Sequence, residues 1–259
     1  MTGVDVQARD VSKTYVTKRG EPVHALDRVS LEIAPGEFVS VLGPSGCGKS
    51  TILMLVAGLI HPSAGEIRVG GEPLRRPRAD ASIVFQRDVL LDWRSVLDNV
   101  LLPVEIKRLD RGRYRARAGE LLKLVGLTGF ESKYPSELSG GMRHRVAICR
   151  ALIQEPRLLL MDEPFGALDA LTREQMSLDL QRIWNAARNS VVFITHSIEE
   201  AVFLSDRVVV MSPRPGRIIE TLPVALSRPR GAHTRTEPGF AALVERIRDV
   251  FRTQGVLSS

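Results

Sequence analysis

The sequence predicts an α/β fold: a parallel sheet carrying a phosphate-binding loop, an antiparallel β unit ahead of it, and a helical insertion. Three observations carry that prediction. Gly43-Pro44-Ser45-Gly46-Cys47-Gly48-Lys49-Ser50-Thr51 fits the spacing G-x-x-x-x-G-K-[ST] and stands between an apolar run, Phe38–Leu42, and a helical pattern opening at Thr51. Leu158–Met161 and Val191–Thr195 are unbroken apolar runs, as strands covered on both faces must be. Between these two groups, residues 88–155 change to helical spacing.

The phosphate-binding loop has a plain physical basis. Its glycines let the backbone bend so that successive N–H groups point inward, and the positive end of the following helix adds to the field. A nucleoside triphosphate is the expected ligand. Lys49 then reaches the β- and γ-phosphates, and Ser50 offers its hydroxyl to Mg²⁺.

Along the chain, Val4–Val6 and Val29–Ile33 alternate apolar and polar residues and predict antiparallel strands, joined through a loop at Lys18–Pro22. Pro35-Gly36 marks the turn into the strand before the loop, and Thr51–Leu59 predicts the helix after it. Glu66–Val69 and Ser82–Phe85 predict further strands, the second followed at once by Gln86. Tyr114, Ala118, Leu121, Leu122 and Val125 then recur at helical spacing, with Gly126 placed to stop the helix. Met142, Val146, Cys149 and Ile153 form a second stripe behind Ser139 as N-cap. Met176, Leu180, Ile183, Trp184 and Ala187 mark another amphipathic helix, and Ser197-x-x-Glu200 reads as a capping box. Arg207–Met211 and Ile218–Leu222 close the sheet. Residues 223–239, rich in Pro, Gly and Arg, read as a linker, and Phe240, Leu243, Val244, Ile247 and Phe251 predict a helix packed back on the core.

Composition narrows the class. With 259 residues, 44% hydrophobic and 25% charged, the chain suits a globular protein. Its longest apolar run, Ile52–Ile60, is far shorter than the ~20 residues that span a bilayer. No basic-then-apolar leader opens the sequence, so any membrane role is expected to come through a partner. Cys47 and Cys149 form neither a disulfide framework nor a metal site, which suits a reduced cytoplasmic compartment. The net charge is +6, but the basic clusters at Arg75–Arg78 and Lys107–Arg117 show no alternation with aromatic residues of the kind a base-stacking platform needs. A solvated basic surface is the favoured reading, and no nucleic-acid partner is expected.

Polar residues at strand ends are the candidate chemistry, because ligands of parallel sheets bind beyond the carboxyl ends of the strands. Asp162-Glu163 follows a buried run, and adjacent carboxylates at a strand end point different ways. One can hold the water shell of Mg²⁺ while the other acts as general base. Gln86 and His196 end two more strands at the same edge. A second anion site is offered by Leu138-Ser139-Gly140-Gly141-Met142, where a hydroxyl and free N–H groups meet a helix start.

In this order, the set Gly43–Ser50, Gln86, Leu138–Gly141, Asp162-Glu163, Ala167-Leu168-Asp169 and His196 resembles the ATP-binding cassette (ABC) ATPases, over about residues 4–225. The resemblance implies a P-loop NTPase core of RecA-like type, an antiparallel β subdomain and an ABC helical subdomain inserted at about residues 88–155. Domain bounds of 1–225 for the ATPase and 226–259 for a linker and helical tail follow from it. It also implies a head-to-tail dimer with a second copy, each ATP lying between the phosphate loop of one chain and Ser139-Gly140-Gly141 of the other. Tyr15 would stack on adenine, and Thr51 would support the phosphates with Lys49 and Ser50. Gln86 and Asp162 would hold Mg²⁺, Glu163 would be the general base, His196 would contact the γ-phosphate, and Asp169 would link the two sites. Met142 and His144 stand where many relatives have glutamine.

A finer resemblance, to the ATPases of nitrate, sulfonate and taurine importers, is carried by Phe85-Gln86, Leu90-Leu91-Asp92-Trp93, Val96–Val100 and Met211–Ile218. Asp92 departs from the proline common there. This implies an ATPase subunit lying peripherally on the cytoplasmic face of the membrane, docked on a separate permease and served by a solute-binding protein. Trp93, read without the resemblance, is a buried aromatic of the insertion. The rival reading is an ABC ATPase acting on nucleic acid or ribosomes, which tight, salt-dependent binding would favour.

Overall fold

The computed structural model describes residues 3–166 and 168–256; Ala167, residues 1–2 and residues 257–259 lie outside the description. Strands β1 (Val6–Val16) and β2 (Pro22–Ile33) precede β3 (Phe38–Leu42) and helix α1 (Lys49–Val56). Then come β4 (Ala64–Val69), β5 (Glu72–Pro73) and β6 (Ala81–Val84). Helices α2 (Val96–Ile106), α3 (Arg111–Leu124) and α4 (Gly140–Leu152) form the insertion. The chain continues as β7 (Leu158–Asp162), α5 (Ala170–Ala187), β8 (Ser190–Thr195), α6 (Ile198–Leu204) and β9 (Arg207–Met211). It closes with β10 (Ile218–Pro223) and α7 (Pro238–Thr253).

Two sheets result, one in the order β2-β1-β4-β5 and the other β10-β9-β3-β8-β7-β6. The first is antiparallel, whereas β9, β3, β8, β7 and β6 run parallel and β10 turns back against β9. All these parallel pairs bring their carboxyl ends to one edge, so the side chains just past them are neighbours.

The pleat of the parallel strands divides the core. Phe38, Leu159, Met161, Phe193 and Val210 face the helical side, while Val39, Leu158, Leu160, Val192 and Val209 face α1 and the antiparallel sheet. On the helical side Trp184 meets Phe38 edge-on at 5.7 Å and donates its indole N–H to Asn189 O at 2.9 Å. The α7 stripe, Phe240, Val244, Ile247, Val250 and Phe251, enters this same cluster.

Several sequence expectations change. β1 and β2 are far longer than Val4–Val6 and Val29–Ile33, because their pairing slips between Ala8 and Thr14. Asp10 and Arg28 also take positive φ there, which breaks the alternation a strand should show. Helix α1 starts at Lys49 and ends at Val56, and Gly58 turns away with φ 70°. Residues 223–239 are no loose linker. Arg230 is 3% exposed, and its guanidinium donates to the carbonyls of Val202, Phe203 and Ser205 at 3.0, 3.0 and 2.7 Å. Burial pulls its pKa down to about 10. Trp93 is 74% exposed rather than buried. No helix among the described residues is long and apolar enough to cross a membrane.

Candidate nucleotide-binding site

The loop between β3 and α1 owes its shape to two glycines with left-handed φ, Gly46 at 76° and Gly48 at 103°. A Cβ on Gly48 would also lie 2.7 Å from Leu26 Cδ2 and 2.9 Å from Ala25 O, so no other residue fits. Cys47 is 1% exposed beneath the loop, and burial pushes its thiol up. Lys49 is 5% exposed and donates from Nζ to Gly43 O at 2.8 Å and Pro44 O at 3.0 Å.

The strand-end residues converge on this loop. Asp162 ends β7 and accepts from Ser50 Oγ at 3.1 Å. Burial raises the Asp162 carboxyl above the usual carboxylate range, against the opposing pull of that hydrogen bond. Glu163, one residue on, has φ 44°, an uncommon backbone for a side chain of this kind, and its N–H is fixed to Ile194 O at 2.9 Å. That twist separates the two carboxylates. Glu163 Oε2 accepts from His196 Nδ1 at 3.2 Å and from Gln86 Nε2 at 3.4 Å, while Oε1 lies 3.9 Å from Lys49 Nζ. Three residues from three other elements thus meet on one carboxylate.

Lys49, Ser50, Gln86 and Glu163 border a cleft of about 360 Å³. Tyr15, Val23 and Ala25 of the antiparallel sheet make one wall, Ser45, Gly46, Gly48, Lys49, Ser50 and Thr51 the floor, and Gln86 and Glu163 the far side. Tyr15 Oη is 3.5 Å from Thr51 Oγ1, and Lys13 Nζ sits 5.3 Å from the centre of the Tyr15 ring. For a magnesium ion, the donors at hand are the Ser50 hydroxyl, the Asp162 carboxylate and the Gln86 amide. Such a sparse, all-oxygen set suits a cation that keeps most of its waters.

Ser139, Gly140, Gly141 and Asp169 are absent from the walls of this cleft. Ser139 accepts from Met142 N–H at 3.3 Å as N-cap of α4, as its position predicts. A Cβ at Gly141 would lie 3.4 Å from Leu168 and Thr172. Asp169 caps α5 and accepts from Thr172 N–H at 3.0 Å; the Thr172 hydrogen bonds hold its carboxyl below the usual range. The capping box predicted at Ser197 forms only in part. Ser197 Oγ accepts from Glu200 N–H at 3.3 Å, but the buried Glu200 carboxylate instead accepts from Thr195 Oγ1 at 2.6 Å. The Ser197 N–H is already taken by Thr195 Oγ1 at 3.0 Å, so the reciprocal bond has no donor.

Two contacts were invisible in the sequence. His144 Nε2 lies 2.9 Å from Gln86 O, tying the α4 helix to the strand end that presents Gln86. Arg143 reinforces the tie through Asp88 at 2.9 Å, and Arg150 holds the Asp88 and Val89 carbonyls at 2.8 and 2.9 Å. The other is Arg214, far along the chain, which borders the cleft beside the Tyr15 wall.

A phosphate loop at the edge of a parallel sheet, ringed by acidic, amide and imidazole groups, defines an ATPase of the phosphate-loop class. The ABC transporter family matches residues 26–166. A taurine import ATP-binding protein, TauB, of Rhizobium johnstonii is 50% identical over 95% of each chain. An uncharacterised ABC transporter ATP-binding protein of Methanocaldococcus jannaschii is 45% identical over 91% of this chain and 87% of its own. Among solved structures, a dimeric post-hydrolysis state of the ATP-binding cassette MJ0796 bound to ADP and Pi superposes with a TM-score of 0.76 at 33% identity, over 86% of this chain and all of that one. The chain belongs to the ABC transporter family and is an ABC ATPase.

Proposed function

We propose that this chain is the ATP-hydrolysing subunit of an importer for a small sulfonate-type solute, taurine being the first candidate, working through a separate permease in the membrane. The observation that carries the ATPase half of this reading is the meeting of Lys49, Gln86 and His196 on Glu163 beside the phosphate loop. The 50% identity with TauB over nearly the whole chain supports the solute class.

In this reading ATP lies in the cleft, its adenine against Tyr15 and its phosphates on the loop N–H groups, with Thr51 and Lys49 beside them. Ser50, Asp162 and Gln86 hold Mg²⁺, which when bound offsets charge on the phosphates. Glu163 takes the proton from the attacking water, with the Lys49 ammonium 3.9 Å from its Oε1. Gln86 orients that water through its amide, and His196 donates to the terminal phosphate as charge builds there. Ser139, Gly140 and Gly141 serve the nucleotide of a second copy, packed head to tail, with Asp169 between the two sites. Closure on ATP and release after hydrolysis then move the permease. The surface near Gln86 that carries exposed Phe85, Val89 and Trp93 is where it would dock. The working place is the cytoplasmic face of the membrane, and a solute-binding protein outside would deliver the cargo.

Glu163→Gln tests the core of this. It keeps ATP binding and promotes the dimer while steady-state turnover falls about a hundredfold or more. Turnover at the parent rate would remove Glu163 from its role. For the solute, taurine uptake is measured in cells with and without the chain; equal uptake would discard that candidate.

A further inference from the structure

We propose that Arg214 is a nucleotide-binding residue, its guanidinium gripping the ribose and α-phosphate end that ATP and ADP share. The inference rests on the reading of the cleft as the nucleotide site. Arg214 borders that cleft with Tyr15, Val23 and Ala25, although it lies nearly 200 residues beyond them in sequence.

The segment 212–217 is built to hold it there. Gly216 donates to Ala25 O at 2.9 Å, and its own carbonyl accepts from Asp27 N–H at 3.0 Å. A Cβ on Gly216 would fall 2.0 Å from Cys47 O, so the segment lies directly on the phosphate loop and glycine alone allows it. Arg217 closes the far side on Asp27, with Nε at 2.8 Å. Within the turn, Ser212 Oγ donates to Pro213 O at 2.9 Å and accepts from Arg217 N–H at 3.0 Å. A six-residue turn is thereby clamped between β2 and the loop, with Arg214 at its exposed tip.

Every other arginine of this turn and of the paired strand has a carboxylate: Arg217 and Arg28 both lie on Asp27. Arg214 has no hydrogen bond or ion pair among the described residues. A cation at the tip of a clamped turn beside the phosphate loop, with no partner among the described residues, suits a ligand anion, and arginine adds a planar face that stacks on a base and a donor fork that fits phosphate. Position decides which phosphate. Gln86, Glu163 and His196 gather at the strand ends, where the terminal phosphate lies in the proposed pose. Arg214 lies two residues from Gly216, which bonds to Ala25 of the wall that also carries the paired Tyr15 and Val23, the adenine side in that pose.

The test measures binding of ADP and of the non-hydrolysable analogue AMP-PNP to the full chain by titration calorimetry. Arg214→Ala and Arg214→Gln are compared with Lys49→Ala. Both Arg214 variants are expected to weaken the two nucleotides alike, by about fivefold, one charge-assisted contact at an exposed site. Their thermal midpoint stays at the parent value, since no protein contact is removed. Dissociation constants within twofold of the parent, while Lys49→Ala loses binding, overturn the role of Arg214 and leave the site standing. A loss confined to AMP-PNP also overturns it, because the arginine would then serve the γ end. Undiminished binding in Lys49→Ala would instead remove the site reading itself, and this inference with it.

Discussion

The edge of the parallel sheet and the N-terminus of α4 are both rich in groups that favour anions, yet the fold treats them oppositely. At the sheet edge, Lys49, Ser50, Gln86, Asp162, Glu163 and His196 come from four places in the chain and are linked by contacts of 3.9 Å or less. At α4, Ser139, Gly140 and Gly141 are contiguous in sequence, but contribute nothing to the walls of the cleft. Helix α4 is tied to it indirectly, through His144 and the Gln86 carbonyl and through Arg143 and Arg150 to Asp88 and Val89. The difference teaches what one chain can complete by itself. It brings the phosphate loop, two carboxylates, an amide and an imidazole together, while Ser139, Gly140 and Gly141 stay outside the walls of that cleft. This arrangement suits a site finished by another copy, which is how the proposed head-to-tail dimer uses it.

The contrast can be broken experimentally. The largest effect is expected from Lys49→Ala, which strikes the sheet edge: nucleotide binding and turnover should both collapse, with turnover down at least about a hundredfold. Ser139→Arg strikes only the α4 end. The monomer should bind nucleotide as the parent does, whereas turnover falls about a hundredfold, the loss of one donor to a charged intermediate plus a bulky side chain. Mixing these two inactive chains sharpens the comparison further. Each mixed dimer keeps one phosphate loop and one Ser139 intact on opposite chains, so turnover should reappear. Continued silence on mixing would assign both ends to one chain's own site. The smallest effect belongs to the tie between them. His144→Ala removes one buried hydrogen bond, about 1 kcal/mol, and should lower the thermal midpoint by a few degrees. It should change nucleotide affinity little while reducing turnover severalfold, because Gln86 is held less firmly.

How far the fold was legible depended on how each element is buried. β3, β7, β8 and β9 are covered on both faces, so largely apolar runs announce them, and the polar residues that end β7 and β8 can be placed. β1 and β2 are bulged, and a bulge erases the very alternation by which a half-buried strand is recognised. Ser139 was legible as a cap because its oxygen serves a backbone N–H three residues away, a local event. Arg214 and His144 were not, since their contacts depend on a turn folding back on Ala25 and a helix lying along Gln86. The α7 stripe packs on the core as its spacing predicts, whereas the order of residues 223–239 was hidden for a related reason. Pro, Gly and Arg signal exposure by composition, and only the fold supplies the row of carbonyls that lets Arg230 be buried. Trp93 erred the other way, an aromatic that the insertion leaves on its surface.

The buried Arg230 has a consequence for the life of the chain as it is made. The carbonyls it ties together belong to α6 and the segment after β10, and the α7 stripe packs on α6 within the same core. While a ribosome still holds residues 230–251, that half of the sheet has an open apolar face, even though the phosphate loop left the tunnel long before. The phosphate loop and its strand can take shape early, but the apolar surface of α6 stays open until α7 has emerged to pack on it. Over that interval a nascent chain offers a chaperone the surface that α7 later covers.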